Sequence, residues 1–124
     1  MREILFRGKH MSGDVWCEGN LAVRKDGVCI ITPDDTPCGV YGQVDPATVG
    51  QYTGLMDKNG KRIFEGDVVQ MRTDDLSKRG EIVFKDGSFG IDDKKRKRFY
   101  YMYHDAVYRV DGNIHDNPEM LEGN

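Results

Sequence analysis

Apolar and polar side chains alternate along most of this chain: Ile4 and Phe6, then Val15, Cys17, Leu21 and Val23, then Val69 and Met71, Ile82 and Phe84, and finally Phe99, Tyr101 and Tyr103. A repeat of two marks strands with one buried face, so these positions are expected to point inward. Four dipeptides, Asp26-Gly27, Asn59-Gly60, Asp86-Gly87 and Asp111-Gly112, can supply the positive φ angles that tight hairpin turns need. Together these signals predict a meander of short strands. Helical periodicity never persists for three turns, and 15 glycines spread along the chain weaken any long helix. The one helical element expected is a short C-terminal turn. There Asn117 is placed to cap, Pro118 suits the first helical position, and Glu119 favours the positive end of the dipole before Met120 and Leu121 turn inward.

The order of signals divides residues 1–124, read as a single unit, into two sub-regions. Residues 1–48 hold hairpins up to Thr32 and then a connection rich in proline and acid, Pro33 to Pro46. Residues 49–124 run through a glycine turn at Glu65-Gly66-Asp67, a strand, a polar loop from Thr73 to Arg79 and a hairpin at Asp86-Gly87. That order fits a small barrel of SH3-like type followed by the C-terminal turn. The fold class is therefore mainly β.

A chain of 124 residues with 38% hydrophobic and 31% charged residues has apolar material for a core and too balanced a charge for disorder. The net charge of -3 gives the whole molecule no positive field to draw it onto nucleic acid or anionic lipid, so any such affinity needs a local patch. Residues Met1 to Gly8 mix charges with apolar positions instead of forming a signal peptide, and no apolar run approaches a membrane span. A cytoplasmic protein, staying where it is made, is the expectation. Cys17, Cys29 and Cys38 are odd in number and lack a CxxC pair, so all three are expected as free thiols.

The stretch from Val49 to Val69, VGQYTGLMDKNGKRIFEGDVV, resembles the signature segment of the YopX-like family. Three further pieces agree with it: REILFRG from Arg2 to Gly8, ITPDDTP from Ile31 to Pro37, and GNIHDNPEML from Gly112 to Leu121. The resemblance implies a mainly β protein of phages, prophages or related mobile elements, in a family with no established activity. Within the signature, the turn at Asn59-Gly60 and the apolar Leu55, Ile63, Phe64, Val68 and Val69 argue for packing. Gln51, Tyr52, Thr53, Glu65 and Asp67 are the residues polar enough to meet a ligand.

The sharpest candidate for chemistry is the basic run Lys94, Lys95, Arg96, Lys97 and Arg98, followed by the aromatic Tyr100 and Tyr101. Clustered cations neutralise phosphate and open rings stack on unpaired bases, so this pairing is the candidate nucleic-acid-binding site. The competing reading is a solvated loop or charged strand edge leading into a core strand. Acid pairs at Asp34-Asp35, Asp74-Asp75 and Asp92-Asp93 read as turns, and His10, His104 and His115 have no metal-ligand spacing. No nucleophile elbow, Walker or dinucleotide motif occurs, so no enzyme, cofactor or metal is expected.

Seven large rings, Trp16, Tyr41, Tyr52, Tyr100, Tyr101, Tyr103 and Tyr108, exceed what a small barrel easily hides. The first functional expectation is accordingly a non-catalytic phage or prophage accessory protein acting through protein contacts, as a homo-oligomer or with phage or host partners. The alternative is a nucleic-acid-binding module using the basic run.

Overall fold

A computed structural model describes residues 3–13, 15–32, 38–103 and 105–121. The fold is mainly β, with eleven strands among those residues and two short 3₁₀ turns, Pro46–Thr48 and Pro118–Leu121. The chain divides into two compact units, Met1–Tyr52 and Thr53–Asn124.

In the first unit, β1 (Phe6–Lys9), β2 (Trp16–Arg24), β3 (Gly27–Ile31) and β4 (Tyr41–Val44) lie in the order β4-β3-β2-β1, with the start of β5 (Gly50–Met56) on the far side of β1. A two-residue turn at Lys25-Asp26 joins β2 to β3, placing Arg24 opposite Gly27. Beyond β1 the chain bends so that His10 bridges Val44 of β4. The proline-rich connection predicted up to Pro46 thus contains a strand, β4. Its alternating burial was hidden because glycine at Gly42 takes the place of an inward side chain.

That glycine is set by the small core beneath it. Cys17, Ile30, Cys38 and Val44 form the buried cluster, with Phe6, Val15, Leu21, Val28 and Val49 packed around it. Cys17 and Cys38 are joined as a disulfide with their Cα atoms 5.9 Å apart, and Cys29 remains a buried free thiol. The expectation of three free thiols is therefore corrected. The two partners stand 21 residues apart in sequence and meet only because β2 and β4 fold over one core. A Cβ on Gly42 would lie 3.2 Å from Cys17 Sγ and 3.0 Å from Cys38 Cβ, so the bridge occupies the space that glycine leaves. Nearby, the buried Arg7 places its guanidinium 4.7 Å over the Trp16 ring, exchanging hydration for a cation–π contact.

In the second unit, β7 (Asp67–Arg72), β8 (Ser77–Lys85), β9 (Ser88–Asp93), β10 (Arg98–Tyr101) and β11 (Val107–Asn113) form an antiparallel sheet in the order β10-β9-β8-β7-β11. The sheet's two end strands, β10 and β11, do not pair with each other. Asp86 and Gly87, with φ of 53° and 82°, make the predicted two-residue hairpin turn. Asp111-Gly112 makes no turn. It lies inside β11, where the register against β7 slips between Val110 and Gly112, so the dipeptide serves a bulge. The C-terminal helical turn stands at Pro118–Leu121 as expected, but the Asn117 side chain accepts from the backbone N–H of Asn113 at 3.3 Å.

The core of this unit gathers Val69, Met71, Ile82, Ile91 and Tyr108 from the sheet with Ala106 just before β11 and Ile63 of β6 (Arg62–Phe64), a short strand paired with β5, and Leu55, Phe89, Tyr100, Met102 and Val110 pack against them. Each fully buried aliphatic side chain contributes about 1.5–3 kcal/mol. Two carboxylates organise the turns around this core. Asp57 accepts from the backbone N–H groups of Asn59 and Lys61, both at 2.9 Å, and from Val110 at 3.1 Å. Asp67, 1% exposed, accepts from the backbone N–H of Phe64 at 2.8 Å. Gly66 between them donates to the Ile82 carbonyl and accepts from Ile114, both at 2.9 Å.

Thiol titration of the unfolded, unreduced chain should find one reactive cysteine, rising to three after reduction. Reduction should also lower stability in urea by about 3 kcal/mol, the loop-closure term for a bridge of this span. Burial alone pushes the Asp57 carboxyl upward, but the three backbone donors and the Lys61 charge outweigh it and hold the group below the usual carboxylate range. Its contribution is therefore present above the ordinary carboxylate pKa and lost as pH falls through the lower folded value. Asp57→Asn should cost about 1–3 kcal/mol at neutral pH and flatten the acid limb of a stability-versus-pH curve, because an amide NH₂ would face backbone donors.

Candidate nucleic-acid and protein interface

The basic run folds locally into the turn between β9 and β10. Asp93 is buried, and its carboxylate accepts from the Arg96 backbone N–H and from Arg96 Nη1, each at 3.2 Å. Burial opposes the Asp93 charge, but these bonds, with the charges of Arg96 and Lys78, hold its carboxyl below the usual range. The turn closes with Lys97 at φ 56°. Lys94 reaches Glu81 on β8 at 3.1 Å. Two of the five cations are thus committed to internal carboxylates, while Lys95, Lys97 and Arg98 stand exposed with no ion pair among the described residues.

The strand that follows reverses the expected phase of its rings. Tyr100 lies opposite the fully buried Ile91 and packs against the core, with Lys78 Nζ 5.3 Å from its ring centroid. Phe99 and Tyr101 stand on the outer face, edge to face with centroids 5.0 Å apart, and Tyr101 is 54% exposed. Phe99 lies against Gly90, where a Cβ would collide with the ring, and Lys85 Nζ lies 5.4 Å from its centroid. Of the nominated stacking residues, Tyr101 is available and Tyr100 is turned inward. Phe99, which was expected inside, joins the outer surface. Three consecutive aromatics carry no phase of their own, so the alternation was readable one residue out. Glycine at 90, opposite Tyr101 in the register, was the one signal that a ring would cover this part of the sheet.

Beyond β10 the backbone turns at Tyr103, clasped by the buried Tyr108. The Tyr108 hydroxyl donates to the Tyr103 carbonyl at 2.9 Å and accepts from the Tyr103 N–H at 2.8 Å. Burial raises the Tyr108 pKa, so the phenol stays protonated for both bonds. Tyr103 leads into an open cleft of about 510 Å³ whose lining includes Asp74, Asp75 and Asp105 with Arg72. Asp74 and Asp75 sit in the exposed loop after β7, whereas Asp92 and Asp93 belong to β9. Asp34, Asp35 and His104 lie outside the described residues. Among the described residues no three His, Cys, Asp or Glu side chains stand together as a metal site.

The family model described as YopX protein matches residues 6–122. The chain belongs to the YopX family. Among solved structures it resembles protein EF1440 from Enterococcus faecalis, with 26% identity, a TM-score of 0.57, and 98% of this chain and 99% of that one covered. It also resembles yopX from Bacillus subtilis, with 20% identity, a TM-score of 0.57, and 100% and 99% covered, a likeness of fold. No curated protein matches the chain. No helix among the described residues is long and apolar enough to cross a membrane. Within the YopX signature, the inward-turned Asp57 and Asp67 accept from backbone N–H groups. Tyr52, another polar member of the segment, is buried.

The two tyrosines of β10 should separate in denaturation experiments. Tyr100→Ala should cost about 2–4 kcal/mol, as truncation of a core-packed ring does, while Tyr101→Ala should stay within about 0.5 kcal/mol. Equal losses would contradict the assigned faces.

Proposed function

We propose that this YopX protein is a non-catalytic accessory protein of a phage or prophage, working inside a bacterial host cell through protein contacts that include self-assembly. The observation that carries this reading is where the exposed rings fall. Of the seven large rings, Tyr52 and Tyr108 are buried and Trp16 and Tyr100 are half-buried. Tyr41, Tyr101 and Tyr103, at 62%, 54% and 42% exposed, sit on or beside β4 and β10, each of which ends its sheet order. On β4 the outward groups of Gln43 and Asp45 are bonded to Met11 and Lys9, whereas β10 has no strand on its outer side; with tyrosine bringing large contact area at low entropic cost, it is the β10 edge that favours strand-edge association.

Nucleic acid binding is the second reading, favoured by the outer Phe99–Tyr101 pair with Lys85 over Phe99 and three unpaired cations in the adjoining turn. The net charge of -3 weighs against it.

Light scattering over a concentration series decides between them. A mass above the 14.1 kDa protomer in the micromolar range is expected, with no salt-sensitive anisotropy change of labelled single-stranded DNA, duplex DNA or RNA. A strictly monomeric mass, together with salt-sensitive binding, would transfer the proposal to the second reading.

A further inference from the structure

We infer that β10 is a self-complementary edge through which two copies of this chain pair antiparallel about a two-fold axis at Tyr100, a claim that rests on the self-assembly reading above. The backbone points to it first. Met102 N–H donates to the Phe89 carbonyl of β9 at 3.2 Å. Antiparallel pairs alternate strictly, so the peptide groups of Arg98 and Tyr100 also face β9, and those of Phe99 and Tyr101 face away from it. β10 ends the sheet order, leaving those outward donors and acceptors without a neighbouring strand. With Tyr100 on the axis, Phe99 of each copy faces Tyr101 of the other, and all four outward peptide groups of each strand find partners.

The side chains agree with that register. Phe99 and Tyr101 share the outer face 5.0 Å apart, so the pairing extends two rings into a ladder of four and covers the exposed Tyr101. Cross-strand aromatic pairs of this kind stabilise antiparallel ladders. Charge supplies the specificity. At one end of β10 stands the basic turn with Lys95, Lys97 and Arg98; at the other, beyond Tyr103, lies the cleft whose charged lining is Asp74, Asp75 and Asp105 against the single cation Arg72, a net negative charge. The two-fold operation carries each basic turn to the acidic cleft of the other copy. Counting outward from Tyr100, five residues in either direction lead to Lys95 and to Asp105. The cleft, at about 510 Å³, has room for long cationic side chains. A parallel pairing would set basic turn against basic turn, so the charges select the antiparallel arrangement.

Sedimentation velocity on the full chain tests this with three variants, each checked for native circular dichroism. Lys95→Glu/Lys97→Glu/Arg98→Glu reverses the turn while sparing the internal Lys94 and Arg96 pairs. Asp74→Lys/Asp105→Lys reverses the cleft, and Tyr101→Pro removes an outward N–H. Each variant alone should self-associate about tenfold more weakly or worse, and an equimolar mixture of the two charge-reversed proteins should recover the dimer, because both turn–cleft contacts are then opposite in sign. A wild-type assembly whose mass none of the three changes, or a mixture that stays monomeric, would overturn the β10 interface while leaving the self-assembly reading in place. A wild-type chain that is monomeric throughout the series would remove both.

Discussion

The second unit depends on a carboxylate that serves backbone from two distant parts of the chain. Asp57 gathers the N–H groups of Asn59 and Lys61 from its own turn and that of Val110 from β11, 53 residues on. The last bond sits beside the bulge between Val110 and Gly112, where β11 slips against β7 and its ladder is locally interrupted. Tyr108 and Val110, two residues apart on this end strand, turn their peptide groups away from β7, and Asp57 is the acceptor that the Val110 N–H finds there. The bond from Lys58 N–H to the Tyr108 carbonyl, 2.9 Å, continues the same seam. Asp67 and Gly66 do related work one turn later, fixing the approach to β7 and tying it to β8 and to Ile114. The signature segment of the YopX family is therefore largely a set of instructions for closing turns onto strands that come much later in the chain.

Elements with a local cause were legible in the residues. Asp86-Gly87 announced its hairpin because two positive φ angles are needed there, and Pro118 announced its short helical turn because its own ring sets φ. Elements with a distant cause were not. The Cys17–Cys38 bridge joins positions whose proximity is made by β2, β3 and β4 together. The disulfide also removes the argument from cysteine usage for a reducing compartment. Asp111-Gly112 has the composition of a turn yet lies within a strand, because the bulge uses the same residue types.

The candidate site was legible by composition and misread by phase. The basic run and its aromatic neighbours lie in one locality, since the turn and β10 are contiguous. Which ring faces which way followed from Ile91 opposite Tyr100 and Gly90 opposite Tyr101, and the pairing register is a tertiary fact. The cost of the wrong phase is the exchange of Tyr100 for Phe99 on the outer face of β10. Asp93 was read as part of a turn-forming acid pair, and it does shape the turn, but from a buried position that also consumes the Arg96 charge.

This use of charge bears on why an open strand edge is tolerable at all. An edge with outward peptide groups and exposed rings invites indiscriminate pairing, and clustered Lys and Arg beside it are a common protection. Here the protection is one-sided: cations crowd the start of β10, while the chain beyond its end meets Asp74, Asp75 and Asp105. A uniformly basic edge repels every copy of itself, whereas a strand basic at one end and acidic at the other repels only the parallel approach. The net charge of -3 is small enough that such local asymmetry, not the overall field, governs close encounter at physiological salt, where screening confines each patch to about 8 Å. Of the features that first suggested nucleic acid, two cations build the turn, and under the proposed β10 pairing the other three would choose the orientation of the second strand.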